Sequence, residues 1–154
     1  IKAMQTFKGA ARRLQVLKAE PNPVYFDFAH APSKVKATVD ALREKHPDKK
    51  LLACLELHTF SSLNKIFIPH YKNSLEMAVV YFNPSTLEHK NMPPLKPNFV
   101  AQSFDHKNSN VVTNSEEVLT TVKSCYSDHY VILIMTSGNF NGVNFKEWVD
   151  DNLQ

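Results

Sequence analysis

The chain has 154 residues, 43% of them hydrophobic and 21% charged, enough for one domain with a sizeable core. Its 18 basic and 15 acidic residues leave a formal charge of +3. The bases are dispersed, as in the pairs Arg12-Arg13 and Lys49-Lys50, and form no aromatic-interleaved stripe, which sets nucleic acid aside as a partner.

In chain order, "RRLQVLKAE" (12–20) alternates as a strand, and "PNP" turns into a second strand, "VYFDF" (24–28). "SKVKATVDALREKH" (33–46) places Val35, Val39 and Leu42 at i, i+4, i+7 of a helix, with Pro32 suited to its first turn. "LLACLEL" (51–57) reads as a strand covered on both faces. "SSLNKIFIPHYK" (61–72) reads as a helix interrupted or ended near Pro69, and "MAVVYF" (77–82) as the next buried strand. The proline-rich "NPSTLEHKNMPPLKPN" (83–98) reads as a surface loop. "NVVT" (110–113) is a short strand. "NSEEVLTTVKSC" (114–125) is a helix with a good N-cap and an acidic first turn. "YVILIM" (130–135) is the most apolar strand, and "TSGNFNGVNFKEWVDDNL" (136–153) is a polar loop followed by a helix.

Alternating strands and helices imply an α/β fold: a Rossmann-like, mostly parallel sheet of about six strands with helices on both faces. Ligands in such sheets gather beyond the carboxyl ends of the strands. Three polar segments fall there, "DFAHAPS", "ELHTFSS" and "TSGNFNG". Asp27 suits either a helix cap or a ribose hydrogen-bond acceptor. His30 suits a turn histidine held by a carbonyl or a site residue. Arg12 and Arg13 suit a solvated pair, or one of them a phosphate contact.

Several chemistries are excluded. All 7 histidines are widely separated and neither cysteine belongs to a C-x-x-C pair, so no metal site is expected. "TSGNF" is no nucleophile elbow. Asp27 lacks the neighbouring carboxylates of a phosphoacceptor receiver. Cys54 and Cys125 read as free thiols of a reducing, cytoplasmic compartment. No run is long enough for a membrane span and no signal peptide is evident. With 3 glycines there is no G-x-x-x-x-G-K-S/T phosphate loop. The opening "IKAMQTF" carries neither cap nor tail, so the chain is expected to be a piece of a longer one.

Taken in order, these segments resemble the C-terminal domain of the Mur ligases, ATP-dependent enzymes of bacterial cell-wall assembly. "FKGAARRLQVL" is similar to the family's G-x-x-R-R-x-Q/E element. "FDFAHAPSKVKATVDAL" is similar to its D-Y/F-A/G-H-x-P signature and following helix, although Ala31 stands where many relatives have a second histidine. The likeness continues through "LLACLELHTFSSL" and "YVILIMTSGNFNG". It implies that residues 1–154 are one C-terminal domain whose N-terminal and central partner domains lie outside this sequence. It implies ATP contacts by Arg13 (phosphate), Asp27 and Phe28 (ribose and adenine), with His30 near the phosphates and reacting centre as the catalytic group. It further implies an acceptor pocket lined by His58, Thr59, Ser61, Ser62, Ser137 and Asn139, and Mg2+ held by the absent central domain.

Alanine-adding members carry P-H-R-Y-T-R after the third strand. Here "LHTFSS" puts Thr59 and Ser62 in place of those arginines. Arginine suits a free amino acid's carboxylate, so its loss implies a peptide acceptor. That wording, led by Glu56, is nearer the recycling branch, which joins L-Ala-γ-D-Glu-meso-diaminopimelate, a murein tripeptide, to UDP-N-acetylmuramate. The alternatives are the alanine-adding branch and a non-enzymatic nucleotide-binding α/β module.

Overall fold

A computed structural model describes residues 14–105 and 107–154. Arg12 and Arg13 lie outside the described residues. The strands are β1 (Gln15–Lys18), β2 (Val24–Asp27), β3 (Lys50–Glu56), β4 (Met77–Tyr81), β5 (Asn108–Val112) and β6 (Tyr130–Met135). Among the described residues the helices are α1 (Pro32–Lys45), α2 (Pro84–His89), α3 (Pro97–Phe104), α4 (Ser115–Cys125) and α5 (Phe145–Asn152), with a 3₁₀ turn at Ile68–Tyr71.

The six strands lie in the order β1-β2-β6-β3-β4-β5. Among the described strands, only the β1–β2 pairing is antiparallel. This is the expected α/β sheet, with an antiparallel edge strand added. Because strand side chains alternate between faces, consecutive residues feed two cores. Ala53, Leu55, Val80 and Leu133 join Val35, Val39 and Leu42 of α1, Leu87 of α2, and Val100 and Phe104 of α3. Leu52, Cys54, Val79 and Ile132 join Val118 and Val122 of α4 and Phe145 and Val149 of α5 on the other side. The i, i+4, i+7 stripe of α1 is buried at 3% exposure or less. Fully burying each such side chain contributes about 1.5–3 kcal/mol.

Two segments depart from the sequence expectation. Residues 61–72 form turns and the 3₁₀ turn, not an α-helix. Ser62 and Asn64 turn their side chains onto nearby backbone amides (Thr59 N at 2.9 Å, Ile66 N at 2.8 Å). Such local bonds compete with a helical ladder, and Pro69 supplies no donor. Residues 83–98 are not all loop. Pro84 and Pro97 each sit in the first turn of a helix, and the Asn83 side chain caps α2 by accepting from Ser85 N at 3.0 Å.

Connections from β2 through β5 run along one face. The return through α4 runs along the other and inserts β6 between β2 and β3. The chain therefore leaves β2 and β6, which are neighbours, toward opposite faces. That is the switch point at which open α/β sheets form ligand crevices.

Candidate functional site at the carboxyl ends of the strands

Register aligns the ends of three strands. Asp27 of β2 pairs with Met135 of β6, and Met135 pairs with Leu55 of β3. The three polar segments thus emerge along one edge, as expected. Asp27 and Glu56 are two strand spacings apart, about 10 Å.

On the β2 side, Asp27, Phe28, His30, Lys34 and Thr38 line a cavity of about 540 Å3. The Asp27 carboxylate is buried and caps no helix. Oδ1 accepts from Leu14 N at 3.3 Å and Oδ2 from the Thr38 hydroxyl at 2.7 Å, tying the start of β1 to α1. A carboxylate has about four lone-pair sites, so these two bonds leave room for further donors such as ribose hydroxyls. Phe28 is 41% exposed, a bare aromatic surface at the cavity. His30 Nδ1 lies 3.1 Å from the Phe28 carbonyl, and the rings meet edge to face at 5.8 Å. Since a carbonyl only accepts, Nδ1 carries the proton in the neutral ring and Nε2 the lone pair. The Tyr71 hydroxyl, buried and with its pKa pushed up by desolvation, donates to the His30 carbonyl and fixes this turn from the β3–β4 connection. Among the described lining residues, Lys34 supplies a cationic side chain. Its place two residues after Pro32, in the first turn of α1, was the signal available for it.

On the β3 side, Glu56 is 2% exposed. Its Oε1 accepts from the Thr136 hydroxyl and from Phe140 N at 3.0 Å. Its Oε2 lies 3.9 Å from His58 Nδ1. The Tyr81 hydroxyl is pushed up by burial and then by the Glu56 charge. Phe140, Asn141 and Gly142 follow one another at φ 50°, 61° and 88°. A left-handed Phe is unusual. Here it is buried by stacking on Tyr81 at 5.4 Å and by an edge contact with Phe145 at 5.1 Å.

The remaining expected residues differ in accessibility. Ser61 and Asn139 are exposed, and the Asn139 side chain accepts from Gly142 N at 3.1 Å. Ser62 is 1% exposed, its hydroxyl held by Thr59 N at 2.9 Å and Thr59 Oγ1 at 3.0 Å. Thr59 and Ser62 thus form a bracket that shapes the loop. The Ser137 hydroxyl is shielded and has no hydrogen-bond partner among the described residues.

Thr136, which sequence reasoning did not single out, joins the two sides. Its N–H donates to the Asp27 carbonyl at 3.2 Å and its hydroxyl to Glu56. A cavity of about 530 Å3 at the opposite end of the sheet lacks this character. There Arg43 pairs with Glu76, and Lys49 donates to the carbonyls of Pro21 and Asp128.

The chain is similar to UDP-N-acetylmuramate–L-alanine ligase of Ligilactobacillus salivarius, with 43% identity over 77 residues, half of this chain and 17% of that protein. It therefore spans only a small part of that relative's length. A murein peptide ligase from Psychrobacter arcticus superposes with a TM-score of 0.66 at 19% identity, covering 94% of this chain and 31% of that one. A domain from Haemophilus ducreyi described as part of a UDP-N-acetylmuramate:L-alanyl-γ-D-glutamyl-meso-diaminopimelate ligase superposes at 0.61 and 24% identity, covering 90% of this chain and 98% of that one. The model of the "Mur ligase, glutamate ligase domain" matches residues 12–138, so the chain belongs to the Mur ligase family.

Proposed function

We propose that this chain is the C-terminal lid domain of an ATP-dependent amide ligase that joins a murein peptide, L-Ala-γ-D-Glu-meso-diaminopimelate, to UDP-N-acetylmuramate. Mur ligases are ATP-dependent. The reading rests on one observation above all: a nucleoside-sized cavity and a polar loop cluster share one sheet edge and are tied together by Thr136.

Phe28 offers a face for a base and Asp27 spare acceptor sites for ribose hydroxyls. His30 and Lys34 stand where phosphates would follow, and Arg13 is assigned to a phosphate as well. His58, Thr59, Ser61, Ser137 and Asn139 line the acceptor side, with Ser62 acting by holding Thr59. Mg2+ is assigned to the central domain. The sugar nucleotide is assigned to the N-terminal one. Closure over both would exclude water from an activated acyl group. No described helix is long and apolar enough to cross a membrane, and a cytoplasmic setting is part of the proposal.

A second acceptor is supported by the sequence relative: free L-alanine, from the 43% identity to an alanine-adding ligase. Thr59 and Ser62 argue for the peptide, because no guanidinium stands there to meet a lone carboxylate. The deciding experiment is a competition on the full-length ligase with tripeptide and L-alanine at equal concentration. Tripeptide product is expected to dominate. Dominant alanine product transfers the chain to the alanine-adding branch, and no amide with either acceptor overturns the ligase reading.

A further inference from the structure

Glu56 and His58 are two residues apart on the extended end of β3, continued by the Leu57 N–H bond to Tyr81 at 2.8 Å, so their side chains lean to the same face. The Thr136 and Phe140 donors occupy Glu56 Oε1, which leaves Oε2 to the His58 ring at 3.9 Å. Gly138 presses the backbone of the β6 loop against the same ring. A Cβ at that position would lie 2.7 Å from His58 Cγ and 2.9 Å from Nδ1. The ring is therefore backed by a buried carboxylate, walled by glycine, and still 38% exposed toward the edge. At 3.9 Å the contact is electrostatic, longer than a hydrogen bond, and the carboxylate's negative charge favours hydrogen on Nδ1 and the lone pair on Nε2. Among the described residues no hydrogen bond engages that Nε2.

The geometry points to His58, oriented by Glu56, as the group that takes the proton from the acceptor's attacking nitrogen. This deepens the ligase reading and rests on it. An α-amino group of pKa about 7.7–8.0 is mostly ammonium at neutral pH and cannot attack until it loses a proton. His58 Nε2 takes that proton, and the freed pair forms the C–N bond to the acyl phosphate carbon. The bond from that carbon to the phosphate oxygen then breaks, and its electron pair leaves with inorganic phosphate. The nitrogen's second proton departs with the phosphate as the tetrahedral intermediate collapses. Glu56 stabilises the imidazolium until it returns its proton to solvent. Among the described residues, the titratable groups facing the His58 ring are Glu56 of β3 and, behind it, Tyr81 of β4, whose hydroxyl feels the Glu56 charge. The β6 loop contributes Thr136 and Gly138, which carry no charge, and Lys90 lies 4.1 Å over the Phe60 ring further along the loop.

The test uses the full-length ligase with ATP, UDP-N-acetylmuramate and either the peptide acceptor or hydroxylamine. Hydroxylamine is unprotonated at neutral pH and needs no base. His58→Gln is expected to lower peptide kcat/KM by roughly 10²-fold or more, with hydroxamate formation reduced about threefold at most. Raising the pH should recover the peptide rate, because it deprotonates the acceptor without the enzyme's help. Glu56→Gln keeps an oxygen for Thr136 and Phe140 but turns an amide toward the ring, and is expected to lower peptide kcat about tenfold with the ATP KM unchanged. An undiminished peptide rate in His58→Gln, or hydroxamate falling in step with peptide product, overturns the assignment. If the wild-type enzyme yields neither product, the ligase reading itself fails, and this inference with it.

Discussion

Gly138→Ala tests the site at its tightest point. The added Cβ would stand 2.7 Å from Glu56 Oε1 and from His58 Cγ, and 2.9 Å from His58 Nδ1, all inside van der Waals contact. The penalty is steric, since Gly138 is not among the residues with positive φ. Glu56 cannot retreat: it is 2% exposed and holds Thr136 and Phe140. His58 is half-exposed and must swing out instead. Overpacking of this kind costs about 1–3 kcal/mol. At about 2–4 °C per kcal/mol for a domain of this length, the melting temperature should fall by roughly 4–8 °C at the middle of that range. His58→Ala removes two of the three close contacts, so Gly138→Ala should cost at least ~0.5 kcal/mol less in that background. Thermal unfolding of the wild type, both single variants and the double variant closes the cycle. A Gly138→Ala protein melting with the wild type, or a penalty equal in both backgrounds, refutes the packing argument.

Thr38→Val leaves Asp27 Oδ2 without its donor at 2.7 Å, and a urea titration should show a loss of about 1–3 kcal/mol. Thr38→Ser should restore most of it, and a neutral Thr38→Val would show that Asp27 is no brace. Burial, with a smaller push from Cys125, raises the Cys54 thiol from 9.0 to about 12. The folded chain thus keeps a proton that the unfolded chain releases, and stability should fall as pH rises from about 9 toward about 12. Cys54→Ala should flatten that slope in denaturation series across the window; an unchanged slope assigns it to other groups. In the full-length enzyme, Arg13→Ala should weaken ATP use about tenfold and spare the acceptor, while Ser62→Ala, by releasing Thr59, should do the reverse. Equal effects of each on both substrates break the proposed division.

The elements legible in the sequence were those whose pattern reports a single environment. β3, β4 and β6 are covered on both faces and read as continuous apolar runs, while α1 is half-covered and shows its stripe. α4 announced itself through Asn114, whose side chain accepts from Glu116 N at 2.9 Å. Residues 61–72 misled because apolar spacing says nothing of side chains that bond to their own backbone, as Ser62 and Asn64 do. Proline misled in the opposite direction: Pro84 and Pro97 begin helices, and a proline count alone cannot tell a first turn from a loop. At the site, the three polar segments were legible as strand ends. The partners of Glu56 were not, because Thr136 and Phe140 lie 80 and 84 residues away and meet it only once β6 has inserted beside β3.

That insertion explains why both halves of the site depend on the last strand. β6 pairs with β2 on one side and β3 on the other, so before it docks those two strands have no common neighbour and Asp27 and Glu56 no fixed separation. Docking places Thr136 between them, and its amide and hydroxyl are satisfied one to each side. The left-handed run at Phe140, Asn141 and Gly142 then directs the chain onto the face opposite α1, which keeps the loops after β2 and β6 apart. A helix leaving β6 on the same face as α1 would crowd the cavity where Phe28 and His30 lie. The crevice is thus a consequence of strand order and crossover hand. What side chains add is fixation: buried Asp27 and Glu56 are each held by donors from other elements, and the groups left accessible beside them are those assigned to substrates.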